Sequence, residues 1–170
     1  MDTAIKLGRI WKVPIGLHWS WFLIFALVTS SLAVGYFPDE FDDLSAPAHW
    51  GLAVVTSLLF FLSVLLHELG HVRVALRNGL PVREVTLFLF GGVAVMERNP
   101  KTPGEEFRIA IAGPAVSFVL AFVFAGLWLL DRGNDYLAAP SLWLARINFA
   151  LALFNMIPGY PLDGGRVFRA

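Results

Sequence analysis

The strongest constraint on this chain is that it carries four apolar stretches too long for a small water-soluble core. They lie at about residues 15–36, 50–75, 107–130 and 142–157. About 20 apolar residues in a helix cross the roughly 30 Å hydrocarbon layer of a bilayer. Backbone groups in hydrocarbon have no water to bond, so such segments must satisfy themselves as helices. The expected fold class is therefore mainly α, a polytopic membrane protein with about four transmembrane helices. Composition agrees, since 57% of the 170 residues are hydrophobic and 15% charged, against about 25% charged in an ordinary soluble domain. A formal net charge of zero leaves no basic footprint for nucleic acid. The absence of cysteine rules out disulfides.

The order of the segments suggests an orientation. Residues 1–14 hold Lys6, Arg9 and Lys12 and no small-residue cleavage site follows, so the first apolar run reads as a retained anchor. Trp11, Trp19 and Trp21 suit the headgroup level, and His18 there reads as an interfacial or capping residue. The loop at 37–48 has Asp39, Glu40, Asp42 and Asp43 without Lys or Arg, whereas Arg73, Arg77, Arg83, Arg98, Lys101 and Arg108 follow the second run. Positive charge prefers the cytoplasmic face, which puts the N-terminus and the 77–106 loop inside.

Between 82 and 96 the pattern turns from helix to strand. Val85-Thr86-Leu87-Phe88-Leu89-Phe90 is β-branched and aromatic, Gly91-Gly92 signals a turn, and Val93-Ala94-Val95-Met96 can pair back. This predicts a small membrane-associated β-hairpin or sheet at about 84–96, whose free edge can take an extended peptide as an added strand; a plain connector packed on the helices is the alternative. Ala112-Gly113-Pro114-Ala115 and Ser117 read as a close-packing helix face. The whole of 1–170 reads as a single membrane core, expected to be cut short at its C-terminal end.

Chemistry concentrates at His67-Glu68-Leu69-Gly70-His71, at the end of the apolar run 52–66. Each charge placed at the centre of a membrane helix costs roughly 2.5–3.5 kcal/mol on insertion scales, so such groups are functional by default. Histidines four apart share one helix face, about 6 Å apart along the axis. H-E-x-x-H on a helix is the arrangement in which two histidines bind zinc and the glutamate serves as general base. Without cysteine the ion must be held by nitrogen and oxygen, which favours a catalytic over a closed structural site. A third ligand can come from Asp163, in the Pro- and Gly-rich stretch after the fourth run. His67 lies about 17 residues into the second run and Asp163 about 21 past the start of the fourth, which brings them to comparable depth at 1.5 Å per residue. An ordinary Asp-Gly turn is the other reading of Asp163.

Taken together, His67-Glu68-Leu69-Gly70-His71, Phe90-Gly91-Gly92 and Asn155-x-x-Pro158 leading to Leu162-Asp163-Gly164-Gly165 resemble the site-2 protease family of intramembrane zinc metalloproteases. The likeness runs from the basic lead-in and Gly16-Leu17-His18-Trp19 to Asp163, and is nearest the bacterial and archaeal branch without a PDZ insert. It implies one zinc ion per chain held by His67, His71 and Asp163, with Glu68 activating water. It implies a transmembrane protein as substrate, a prokaryotic cell membrane as location, and Asn155 holding or polarising the scissile peptide. Ser117 stands where many members have asparagine, and members often continue into further helices or CBS domains. Phe90, Gly91 and Gly92 are candidate substrate-binding residues. Oligomerisation is left open. Two readings compete with the protease: a membrane metal-ion transporter, since ionisable groups in broken spans also line ion paths, and an inactive metal-binding scaffold, which normally lacks a ligand or the base.

Overall fold

The computed structural model describes residues 5–41 and 44–170. Asp42 and Asp43 of the expected outer loop, and the first four residues of the basic lead-in, lie outside the described residues. The order is β1 (Ile5–Ile10), β2 (Val13–Leu17), α1 (Ser20–Ser31), a π-helical turn at Leu32–Tyr36, α2 (Phe37–Glu40), α3 (Ala46–Arg77), β3 (Val82–Phe88), β4 (Gly91–Met96), α4 (Pro103–Leu130), α5 (Asp135–Asn155) and α6 (Asp163–Arg169).

Among the described residues, four helices are long and apolar enough to cross a membrane: the continuous Ser20–Glu40 segment, α3, α4 and α5. Their outward faces carry exposed Leu23, Leu58, Phe122 and Leu153. In water such side chains would be a liability, but in hydrocarbon they are matched to the solvent. Hydrocarbon supplies no hydrophobic drive between helices, so polar bonds and close packing contribute more. Accordingly Thr29 Oγ1 donates to Ser57 Oγ at 2.9 Å between α1 and α3, and Asn148 Nδ2 reaches Ser63 Oγ at 3.3 Å between α5 and α3. Gly70 of α3 sits against the Ala112 carbonyl of α4, where a Cβ would be only 2.8 Å away.

The strands form one four-stranded sheet in the order β1-β2-β3-β4. β1 and β2 are antiparallel, as are β3 and β4, while β2 and β3 run parallel with Ile15 opposite Val85 and Leu17 opposite Leu87. The crossover joining that parallel pair consists of α1 to α3, two membrane-length passages. One sheet face rests on the later half of α3 and the start of α4 through Val13, Val72, Leu80, Val82, Val85 and Ile109. A separate core of Leu32, Phe37, Leu52, Ala53 and Ala139 closes the opposite end of the bundle.

Three boundaries differ from expectation. The first apolar run does not begin as helix at 15, because Val13, Ile15 and Leu17 are buried in β2 and the helix starts at Ser20. A short apolar run is equally compatible with a buried strand, and the partners that decide the matter are 70 residues downstream. The fourth helix starts at Asp135, well before 142, with the Asn134 side chain accepting from the Tyr136 N–H at 3.2 Å and Pro140 inside the helix. The hairpin turn is Leu89–Phe90, with Phe88 opposite Gly91, so Gly91 and Gly92 open β4 instead of forming the turn. Gly91 has φ +125°, a conformation that L side chains avoid, which accounts for a glycine at this corner.

Candidate metal centre

In the last third of α3, His67 and His71 lie one helical turn apart and both are buried. Asp163 is the first residue of α6, with Leu162 as the extended N-cap residue. The loop between α5 and α6 brings it back onto α3. His67 Nε2, His71 Nε2 and Asp163 Oδ2 form a triangle with all three edges at 3.2 Å. A tetrahedral ion with bonds of about 2.0–2.1 Å to such donors keeps its ligand atoms about 3.3 Å apart. The triangle therefore has the size of one zinc coordination face. Among the described residues these three make up the one His/Cys/Asp/Glu group that can hold a metal ion.

The surroundings orient these donors inward. His71 Nδ1 is 2.7 Å from the Ile109 carbonyl of α4. A carbonyl only accepts, so Nδ1 carries a proton, and in the neutral ring Nε2 is then the lone pair that faces the triangle. His67 Nδ1 is 2.9 Å from Ser117 Oγ, also on α4. Burial alone would raise the Asp163 carboxyl, but hydrogen bonds and charge from the two histidines hold it below the usual carboxylate range. The N-terminal end of α6 further favours the anion. Gly113 backs the triangle: a Cβ there would collide with His71 Nε2 and stand 2.6 Å from His67 Nε2. That is the space an ion bonded to both nitrogens needs, so the donor set and the cradle both fit zinc.

A cavity of about 480 Å³ opens onto the triangle, with Glu68, Asn155, Arg166 and the start of β4 on its wall. Glu68 is half-buried beside β4, where a Cβ on Gly92 would strike its Cγ and come within 3.0 Å of Oε1. Asn155 is half-buried at the end of α5 and its Nδ2 donates to the Leu151 carbonyl of its own helix at 2.9 Å. Phe90 is 87% exposed at the hairpin tip. All the sequence-derived candidates thus line one cavity. His18 does not reach it; its Nδ1 accepts from the Ser20 N–H at 3.2 Å at the start of α1. The Gly113–Ser117 face, expected to be packing alone, faces the histidines as well. Glu106 of α4, which no motif singles out, meets Arg166 and Arg169 of α6 and ties down the element that carries Asp163.

Fold and site together define a polytopic integral membrane protein with a buried His-His-carboxylate centre and a glutamate beside it. Comparison with known proteins makes this specific. The profile of peptidase family M50 matches residues 55–139 and 132–170, and the chain belongs to that family, the site-2 proteases. A Synechocystis protein provisionally named a zinc metalloprotease is 46% identical over 174 residues, covering 100% of this chain and 44% of its own. A Methanocaldococcus jannaschii zinc metalloprotease is 37% identical over 173 residues, covering 100% of this chain and 46% of its own. The solved structure of the site-2 protease from Methanocaldococcus jannaschii superposes with a TM-score of 0.69 at 36% identity, over 97% of this chain and 69% of that one. The chain spans less than half the length of these two sequence relatives.

Proposed function

We propose that this chain is the membrane core of a zinc-dependent endopeptidase that hydrolyses peptide bonds of transmembrane protein substrates, as in regulated intramembrane proteolysis. The observation that carries the reading is the 3.2 Å triangle of two imidazole nitrogens and one carboxylate oxygen opening onto a cavity shared with Glu68. In this reading His67, His71 and Asp163 hold one zinc ion per chain. When bound, the ion supplies Lewis-acid polarisation of the scissile carbonyl and lowers the pKa of water towards 7.

The remaining steps belong to the chain's own side chains. Glu68 takes the proton of the attacking water and passes it to the leaving amine. Asn155, once its Nδ2 turns from the Leu151 carbonyl, donates to the developing oxyanion; donors in that role contribute about 3–4 kcal/mol. A helical substrate hides its carbonyls in hydrogen bonds and must unwind to be cut. The free edge of β4 offers unpaired backbone groups to hold it extended, with Gly91 and Gly92 letting it approach and Phe90 giving an apolar contact at the tip. Water enters from the cytoplasmic side in the orientation expected from the basic loops.

Zinc stoichiometry together with cleavage of a model transmembrane substrate tests the reading. Wild-type protein should hold one zinc and cleave, lose both on chelation, and regain both with zinc. Glu68→Gln should keep the zinc and lose at least about 100-fold in rate, the contribution of a positioned acid–base group. Cleavage retained by Glu68→Gln removes the assignment of the base. Zinc transport into liposomes without any proteolysis would instead favour a transporter.

A further inference from the structure

We propose that Ser117 is the positioning residue that sets the tautomer of His67 for metal binding. The inference rests on the zinc reading above but concerns affinity for the ion, not cleavage. Ser117 is 0% exposed on α4 and sits fifty residues along the chain from His67, with Oγ 2.9 Å from Nδ1. Two arrangements satisfy that contact. In one the hydroxyl donates to Nδ1 and the ring proton is on Nε2, facing Asp163 Oδ2 at 3.2 Å. In the other Nδ1–H donates to Oγ and Nε2 presents a lone pair to the triangle.

The first arrangement suits a centre without a cation and the second suits one with a cation. A hydroxyl can serve both. This is the difference between the two histidines. His71 faces a backbone carbonyl that only accepts, so its metal-binding tautomer is preset by the α4 backbone and no substitution at Ile109 removes it. His67 depends on one side chain. Without Oγ, giving Nε2 to a metal leaves a buried Nδ1–H donor with no partner, whereas the metal-free ring keeps its proton on Nε2 facing Asp163 and leaves only an unpaired Nδ1 acceptor, so the larger cost falls on the metal-bound state. Outer partners of metal-binding histidines are typically worth about 10–100-fold in affinity. Gly113, one turn earlier on the same helix, clears space for the ion while Ser117 aims the ligand, so this stretch of α4 is the back wall of the centre.

The test uses the full-length protein in detergent, stripped of metal and titrated with zinc against a chelator of known affinity. Ser117→Ala should bind zinc about 10–100-fold more weakly. Its metal-free form should stay folded and melt only slightly below the wild type, since alanine is a good helix former and a single hydrogen bond is lost. Ser117→Thr, which keeps the hydroxyl, should recover affinity to within about threefold of wild type by the same comparison. Unchanged affinity in Ser117→Ala overturns the inference, and so does a threonine variant as weak as the alanine one, because the hydroxyl then has no part. Wild-type protein that binds zinc but cuts no transmembrane substrate overturns the protease reading and leaves the Ser117 result standing.

Discussion

Gly113 and Gly92 are two positions at which one added methyl group reaches the chemistry, and they predict opposite failures. At Gly113 the methyl would occupy the space between the two Nε2 atoms. Gly113→Ala should therefore abolish measurable zinc binding. Alanine favours a helix over glycine by about 1 kcal/mol, but pushing the two buried imidazoles aside costs about 1–3 kcal/mol, so the metal-free protein should be no more stable than wild type; chelator competition and thermal melting of the stripped protein check both halves. At Gly92 the methyl would push against Glu68 instead. Gly92→Ala should keep zinc affinity within a few-fold and lower kcat by about 10- to 100-fold, since displacing a reacting group by 1 Å can cost that much. A Gly92→Ala protein with normal kcat would show that Glu68 has room to retreat without loss.

The short helix α6 shows how an element positions a proposed ligand. Seven residues make a helix too short to be stable alone. It is fixed by packing, with Gly164 so close to the Met156 carbonyl that a Cβ would collide, and by the ion pairs of Arg166 and Arg169 with Glu106. Glu106 is 13% exposed and Arg169 is 62% exposed, so solvent screens much of the attraction. Exposed pairs of this kind contribute little. Glu106→Gln should accordingly weaken zinc binding by no more than about fivefold, through looser placement of Asp163, while helix content by circular dichroism stays the same. A loss as large as that expected for Ser117→Ala would mean that the clamp, and not the histidine partner, governs affinity. β4 illustrates the other use of an element: one side pairs with β3 and, among the described residues, the other edge is unpaired beside the cavity. In the proposed reading, the sheet edge that is usually a liability is where an unwound substrate would add as a strand.

At the scale of the molecule, two ends with different character close the bundle: the sheet with α6 at one, the apolar contacts of Phe37 and Ala139 at the other. Because the chain has no cysteine, single reporters can be introduced without a background. Lys101→Cys, in the loop before α4, should react with an impermeant thiol reagent only when the inner face is opened. Gly133→Cys, between α4 and α5, should react in intact cells. The reverse pattern would invert the expected orientation and move the cavity mouth to the other side of the membrane.

Local periodicity made part of this legible without a structure. His67 and His71 share a face because four residues make about one turn of helix, and the apolar runs must be helical because hydrocarbon cannot satisfy the backbone. Counting residues along two spans pointed to Asp163, but the count assumed helix from 142 onward, whereas α5 covers Asp135–Asn155 and a non-helical loop over 156–162 brings Asp163 back onto α3. Relations between elements distant in sequence were not legible. Nothing near Val13 says that it pairs in a sheet completed 70 residues later, nothing near Ser117 names His67, and a glycine looks the same whether it eases a turn or makes room for an ion. The sequence by itself determined the helices, the paired histidines and the glutamate, because these follow from spacing along one chain segment. Only the tertiary structure decided which carbonyl and which hydroxyl hold the two imidazoles, and which glycines leave space for metal and base, because those contacts depend on how α3, α4 and β4 pack together.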